Sequence, residues 1–558
     1  MSAIVLYSIL LILVTPPLGA YMYRVYTRER IGRIEGAIYR VIGVDPTTEQ
    51  SWRRYGGSVL WFSLLSMLLL FALLRLQGSL PLNPLGLRGV DTYVAFNTAS
   101  SFVTNTNWQP YGGESTMSYL SQMLGLTFQN FVSAAVGMAV LIAMIRGFRR
   151  SKTDQLGNFW RDLVRGTIYV LLPLAAIVAV VLVSQGVVQT LGSSQPASGV
   201  QGFEQLIARG PVASQIAIKQ LGTNGGGFFN VNSAHPFEGG GPIGNFVEVF
   251  SILAIPAALT YTFGKMVGNV RQGWALFAAM YVLFIAGLLL TVPAEQTSSG
   301  AMRAAGISAS APNLEGKEVR IGVNESALWA VATTDASNGS VNSMHDSYRP
   351  LGAVAPMFSM AVGEVIFGGV GSGLCGMIFY VVIAVFIGGL MIGRTPEYLR
   401  KKIGAREVKF SVIAVLVPFL LLLALAAVAA VTPAGTDARL NQGPHGLSEI
   451  LYAFFSMGNN NGSAFAGLAA SGPFYAVSGG LLMLAVRFVP LLAALALAGS
   501  VASEGTVPET AGTLHTDRKL FVVLLVFVIL IIGALTFLPG LALGPIVEHL
   551  FQDAGRLF

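Results

Sequence analysis

Along the chain, long apolar stretches alternate with short polar ones. Runs long enough to cross ~30 Å of hydrocarbon as a helix lie near residues 3–23, 58–78, 122–145, 166–189, 243–264, 273–293, 352–393, 410–431, 474–499 and 519–541. The seventh is twice the length one crossing needs. Four moderately apolar stretches, too short or too polar to span, sit between these runs: "DTYVAFNTASSFV", "FEQLIARGPVASQIAIKQLG", "ESALWAVATTDA" and "GLSEILYAFFSMGN". The pattern predicts an all-α polytopic membrane protein with about ten spans and four short helices dipping between them.

Composition and charge agree. Hydrophobic residues make up 53% of the 558 and charged residues only 11%, which excludes an ordinary soluble domain. Basic residues cluster after the first run (Arg24 to Arg54), the third (Arg146, Arg149, Arg150, Lys152, Arg161, Arg165) and the seventh (Arg394, Arg400, Lys401, Lys402, Arg406, Lys409). Weaker sets follow the fifth (Lys265, Arg271) and the ninth (Arg518, Lys519). Every second connection is therefore basic and cytoplasmic, which places both termini outside. No basic residue precedes the first run, the reverse of a secretory signal, so it is expected to stay as a helix. The net charge of +7 expresses topology and excludes nucleic-acid binding. The single cysteine, Cys375, lies in an apolar run, which excludes an intrachain disulfide.

The outer connections, residues 79–121, 190–242, 294–351 and 432–473, each carry a polar knot. These are "TNTN" at 104–107, "TNGG" at 223–226, "SNGS" at 337–340 and "NNGS" at 460–463, with starts 119, 114 and 123 residues apart. One such tetrapeptide reads as a turn. Four between spans read as an internal repeat of span, re-entrant helix, polar loop, span. Irregular backbone at membrane depth is tolerated only where it lines a watery cavity or is buried in protein, so the four loops are expected to meet on one axis. Glycine lets such backbone turn its carbonyls inward, and a ring of carbonyls replaces the hydration shell of an alkali cation, K⁺ above all. The candidate ring residues are Asn105, Thr106 and Asn107; Thr223, Asn224 and Gly225; Ser337, Asn338 and Gly339; and Asn460, Asn461 and Gly462, with Thr106 set in register with the three glycines. Asn338-Gly-Ser340 and Asn461-Gly-Ser463 match a glycosylation sequon but are expected to be buried.

The motifs "FVTNTNWQ", "LGTNGGGFFN", "VNSMHDS", "GEVIFGGVGSGL" and "MIGRTPEYLRKKIG" resemble those of the potassium-binding A-subunit family of Kdp-type ATPases, KdpA. That family lies within the superfamily of K⁺ transporters that includes Trk, Ktr and HKT proteins, and the resemblance covers essentially the whole chain. It implies four pseudo-symmetric units around a central K⁺ filter, plus one extra helix at each end. The expected partition is 1–54 for the first helix and a cytoplasmic loop, units at 55–165, 166–271, 272–407 and 408–500, and a cytoplasmic linker with the last helix at 501–558. It also implies a bacterial or archaeal cell membrane, K⁺ as the transported ion, and a P-type ATPase partner with small accessory subunits in a Kdp complex. The chain has neither a DKTG motif nor a phosphate-binding G-x-x-x-x-G-K-[ST] loop, so ATP is expected to be hydrolysed on the partner and no nucleotide on this chain. A self-sufficient channel or ion-coupled transporter of the Trk/HKT kind is the other reading.

Gly371, Gly373 and Gly376 fit G-x-G-x-x-G but fall inside a membrane run, not after a strand, so they carry no nucleotide. Glycine favours a break in the middle of this double-length run; close helix packing through Gly369 and Gly373 is the alternative. The resemblance makes Gly368, Gly369, Gly371, Ser372 and Gly373 a gate loop below the filter. Ions then leave sideways through an intramembrane tunnel. Glu364 and Arg487 are charges beside the ion path, since a mid-span cation points to function and needs a partner. Glu248 is expected at the interface. The five histidines, in loops, lack metal-ligand spacing, and no catalytic grouping is found. Residues 294–350 form an outer cap carrying the third pore helix.

Overall fold

The structure is a computed structural model describing residues 2–363, 365–393, 395–508 and 514–556. Glu364 and Arg394, both singled out above, lie outside the described residues, as does the middle of the 501–518 linker. Ten helices among the described residues are long and apolar enough to cross a membrane, and the protein is a multi-pass, all-α membrane protein.

The four units are plain in the element order. The first runs from Trp52–Leu76 through a short helix, Thr92–Val103, to Phe128–Arg149. The second has its outer span at Phe159–Ser184, its short helix at Val212–Leu221 and its second span at Pro242–Met266. The third has Val270–Glu295, Val323–Asp335 and then two pieces, Pro350–Ala361 and Ser372–Ile392. The fourth has Ala405–Val431, Gly443–Gly458 and Pro473–Ser503.

In every unit the second span is the inner one. The most apolar windows of the second spans are 89%, 78%, 72% and 61% buried, against 22%, 28%, 56% and 39% for the first spans. The inner span of unit one carries Gly137, Gly147, Asn130 and Ser133 where other backbone comes close, as expected of helix packing without a hydrophobic drive between helices. The first helix, Ser2–Thr27, packs on Pro242–Met266: a Cβ at Gly19 would strike the Ala258 carbonyl, and Thr262 Oγ1 donates to the Gly19 carbonyl at 3.0 Å. The last span, Lys519–Leu541, packs on unit three, where Gly533 faces Phe358 and Val362.

The second short helix is briefer than the sequence suggested. Residues 204–207 pair instead with 195–198 as a small antiparallel hairpin, and the helix starts only after Gly210-Pro211, whose proline supplies no donor and caps the first turn. The double-length run does break: Ala361 ends one helix and Ser372 begins the next. Gly369 lies outside any helix, so the G-x-x-x-G packing reading does not hold.

Candidate functional site: a ring of four loops

Each short helix ends in the same way. Asn105, Thr223, Ser337 and Asn460 all take left-handed backbone, with φ of 65°, 46°, 55° and 59°. The next residue's N–H reaches back to a carbonyl five residues earlier: Thr106 to Ser101, Asn224 to Lys219, Asn338 to Thr333 and Asn461 to Ser456, at 2.8–3.1 Å. This is a Schellman closure, in which a left-handed residue lets orphan helix carbonyls find donors. Asn105 and Asn460 tolerate that region better than most side chains.

The closure also fixes the register. Loop one starts at Asn105, one residue later than the tetrapeptide "TNTN" suggests, so the left-handed residue after the central one is Asn107 (φ 54°), matched with Gly225 (82°), Gly339 (83°) and Gly462 (113°). Thr106 is therefore the counterpart of Asn224, Asn338 and Asn461, correcting its placement beside the glycines. The false match arose because Asn105 mimics the central Asn of the other three loops.

The loops form a closed ring. The central amides brace one unit against the one before it: Asn461 Nδ2 donates to the Thr333 carbonyl at 2.9 Å and Asn338 Nδ2 to the Lys219 carbonyl at 3.0 Å. Asn224 Nδ2 reaches Asn105 Oδ1 and the Asn130 carbonyl of unit one. Asn460 Nδ2 closes the circle on Thr106 Oγ1 at 2.9 Å. Thr106, Asn224, Asn338 and Asn461 are fully buried, yet their backbone carbonyls accept no hydrogen bond from the described residues. Four such carbonyls at equivalent loop positions depart from the rule that buried backbone acceptors are paired. The burial of Asn338 and Asn461 also removes both sequons.

Cavities flank the ring. On the long-loop side a vestibule of about 560 Å³ is lined by Trp108, Gln109, Gly226, Gly339, Gly462 and Ser463. On the other side a chamber of about 80 Å³ is lined by Ser337, Asn460, Gly369, Ser372, Gly373 and Arg487. Val362, Gly363, Val365 and Gly369, from the break between the two helix pieces, line its floor. Gly363, Phe367, Gly368 and Gly371 have positive φ. The Gly368 N–H donates to the Asp335 carbonyl at 3.0 Å, and the Val370 N–H to Thr223 Oγ1 at 2.7 Å, tying the floor to the ring. Gly371 meets the Gly137 carbonyl where a Cβ would collide, and Gly137 meets the Val370 carbonyl in the same way. Arg487 is 4% exposed, with Nη2 3.4 Å from the Ser133 carbonyl.

Three groups depart from expectation. Glu248 is not interfacial but fully buried, with the Gln220 amide and the Ser233 hydroxyl 2.9 and 2.6 Å from Oε2. Asn130 and Ser133, which brace loops one and two, were missed; paired polar residues at i and i+3 in an apolar span are the signal that marks them. The histidines are not all isolated. His445 lies within 3.1 Å of Asp346 and 2.9 Å of Glu548, and one ligand atom from each of Asp346, His445 and Glu449 lies within 4.8 Å of the others. Burial lowers the His445 pKa, but the hydrogen bonds to Asp346 and Glu548 outweigh it and push it up to about 10. The imidazolium ties the third loop and the C-terminal helix to the fourth short helix.

The sequence profile of the potassium-transporting ATPase A subunit, KdpA, matches residues 5–550. The chain is 56% identical to the potassium-transporting ATPase potassium-binding subunit of Rhodospirillum centenum, over 100% of this chain and 98% of that one. It is equally identical to the protein of the same name from Sorangium cellulosum, over 98% of each. Among solved structures, the potassium transporter TrkH from Vibrio parahaemolyticus superposes with a TM-score of 0.51 at 15% identity, covering 79% of this chain and 84% of that one, a likeness of fold. With its four-unit architecture and its full-length identity to these subunits, the chain belongs to the KdpA family of potassium-transporting ATPase A subunits.

Proposed function

We propose that this chain is the potassium-binding and translocating subunit of an ATP-driven K⁺ uptake pump. One observation carries the reading: the buried carbonyls of Thr106, Asn224, Asn338 and Asn461, which accept no hydrogen bond from the described residues. A neutral ring of carbonyl dipoles suits a large, weakly hydrated monovalent cation, and the names of the relatives supply K⁺. The candidate filter is Asn105 to Asn107, Thr223 to Gly225, Ser337 to Gly339 and Asn460 to Gly462, with the carbonyls as ligands and the side chains as braces.

K⁺ enters from the vestibule, on the outer side, and passes the ring into the chamber. The floor at residues 365–371 obstructs the direct way down, and the Arg487 guanidinium opposes cation leak there. The ion then leaves sideways, within the membrane, to a P-type ATPase subunit that hydrolyses ATP, in a bacterial or archaeal cell membrane with both termini outside. Small accessory membrane subunits complete the complex.

Purification from native membrane under mild detergent tests this reading. A stoichiometric ATPase partner and K⁺-stimulated hydrolysis are expected. Sustained ⁸⁶Rb⁺ flux through the chain alone in proteoliposomes would instead make it a self-sufficient transporter of the TrkH kind.

A further inference from the structure

Behind the ring lies a chain of buried polar groups whose protons can be counted. Asn338 Oδ1 receives the Ser340 N–H at 3.0 Å and the Thr333 hydroxyl at 3.0 Å, while Asn338 Nδ2 donates to the Lys219 carbonyl. Those partners fix which end of the Asn338 amide is oxygen. The Ser340 hydroxyl touches that same oxygen and also lies 2.8 Å from the Gln220 amide, whose other end lies 2.9 Å from Glu248 Oε2.

If Glu248 is a carboxylate, Gln220 must turn its NH₂ toward it and its oxygen toward Ser340. The single Ser340 proton then faces two acceptors, and one oxygen–oxygen contact has no hydrogen in it. Half a turn of the Gln220 amide removes the conflict. Ser340 then accepts from Gln220 and donates to Asn338. That arrangement requires a proton between Glu248 and the Gln220 oxygen.

The fourth loop shows how such a serine is satisfied. Ser463, the counterpart of Ser340, contacts Asn461 Oδ1 at 2.5 Å and has a second partner, the Tyr452 hydroxyl, at 2.8 Å. Tyr452 can donate to Ser463, leaving the serine proton for the asparagine. Gln220 stands where Tyr452 stands, but can donate only if its oxygen is met by another proton. The charged neighbours do not require a Glu248 anion. Lys219 from the second short helix already pairs with Glu238 from residues 236–239, with Ser233 between them and Glu248. Glu248 Oε1 is buried and without a donor among the described residues, a smaller penalty for a neutral acid than for a carboxylate.

We propose that Glu248 is a protonated positioning residue: its proton orients Gln220, and through Ser340 and Asn338 it holds the third loop against the second in the ring. This rests on the ring being the ion site. Glu248→Gln supplies an amide N–H in place of the acid proton, and the displaced Ser233 hydroxyl can donate to Glu238, 3.4 Å away. Glu248→Ala leaves the Gln220 amide unheld.

The test is K⁺-, Rb⁺-, NH₄⁺- and Na⁺-stimulated ATPase activity of the assembled complex, together with the infrared difference spectrum between wild type and E248Q. E248Q should keep wild-type K⁺ affinity and ion ranking. E248A should weaken K⁺ affinity about tenfold and narrow the margin over Na⁺. The difference spectrum should show the carbonyl stretch of a protonated carboxylic acid. If E248Q is as impaired as E248A, or if that band is missing, the proton is not there. Should E248A fail to assemble, E248Q and the spectrum decide alone. The spectrum reports the proton wherever K⁺ binds, so its failure is distinguishable from failure of the ring assignment.

Discussion

Gly225 meets the Asn338 carbonyl so closely that a Cβ on the glycine would overlap its oxygen. The relationship repeats around the ring: Gly339 meets the Asn461 carbonyl and Gly462 meets the Thr106 carbonyl. Each glycine is thus doubly required, by a positive φ and by the close approach of a carbonyl of the next loop. Only the first loop differs. There Asn107 carries a side chain, whose Nδ2 donates to Asn130 Oδ1 at 2.6 Å and lies 3.4 Å from the Gly225 carbonyl.

Substitution at these glycines should therefore strike the ion site first. Gly225→Ala adds left-handed strain of about 1–2 kcal/mol and displaces the Asn338 carbonyl, so K⁺ affinity should fall tenfold or more, on the order of 1.4 kcal/mol. Gly225→Asp adds a strong-field carboxylate as well, and discrimination against Na⁺ and NH₄⁺ should be lost. Gly339→Ala and Gly462→Ala should match the alanine variant, whereas Asn107→Gly should cost less because no carbonyl is displaced. ATPase titrations of the assembled complex with each ion read all five variants. Wild-type affinity and ranking in Gly225→Asp would remove this loop from the filter.

The spans, the four short helices and the broken seventh run were legible in the sequence because hydrocarbon imposes length and polarity on the chain. The register of loop one was not, since Thr104 and Asn105 spell the same letters as Thr223 and Asn224, shifted by one. What set the true register was the N–H of Thr106 bonding to the Ser101 carbonyl, a helix-end closure that composition cannot show. Glu248 was misplaced for a related reason: its partners, Gln220 and Ser233, are 28 and 15 residues away. Glu248 alone in "GNFVEVF" looks like any carboxylate near the end of a span.

Arg487 should matter through its charge. The guanidinium lines the chamber beneath the ring beside Gly137, so Arg487→Ala should weaken the coupling of K⁺ uptake to ATP hydrolysis without preventing assembly. Arg487→Lys should recover part of it, because a positive charge remains but the planar fork is lost. The ratio of ⁸⁶Rb⁺ transported to ATP hydrolysed is the measurement. An unchanged ratio in a well-folded Arg487→Ala complex would take the residue out of the mechanism.

The floor loop should leak when shortened. Deleting residues 369–371 removes Val370, whose N–H is tied to Thr223, and Gly371, which abuts Gly137. Passive ⁸⁶Rb⁺ entry into proteoliposomes without ATP should rise several-fold over wild type. Thr223→Val, which removes the hydroxyl that accepts from Val370 and donates to the Gly222 carbonyl at 2.8 Å, should leak less than the deletion, since each such hydrogen bond is worth about 1 kcal/mol. Tight vesicles with the deletion would mean that residues 369–371 do not obstruct the path.

On the basic side of the molecule, Glu35 gathers four donors: Arg165 Nε at 2.7 Å, Arg28 Nη2 at 2.9 Å, the Tyr39 hydroxyl at 2.9 Å and the Gly32 N–H at 3.1 Å. Burial raises its pKa, but the hydrogen bonds, Arg165 first, more than reverse this and lower it to about 2 from 4.5. A carboxylate depressed in the folded state contributes stability that is full above its unfolded value and is lost as pH falls through the folded one. The helix Arg33–Ile42 should therefore hold its docking from neutral pH down to about 4.5 and loosen between there and about 2. Glu35→Gln should loosen it by about 3 kcal/mol above pH 4.5, with the difference from wild type shrinking as pH falls toward 2, because Arg165, 1% exposed, is left as a buried unpaired cation. Hydrogen exchange of residues 33–42 at pH 7 and pH 3, corrected for intrinsic rates, compares the two proteins. Equal protection in wild type and Glu35→Gln at pH 7 would show that the Glu35–Arg165 pair does not hold this helix.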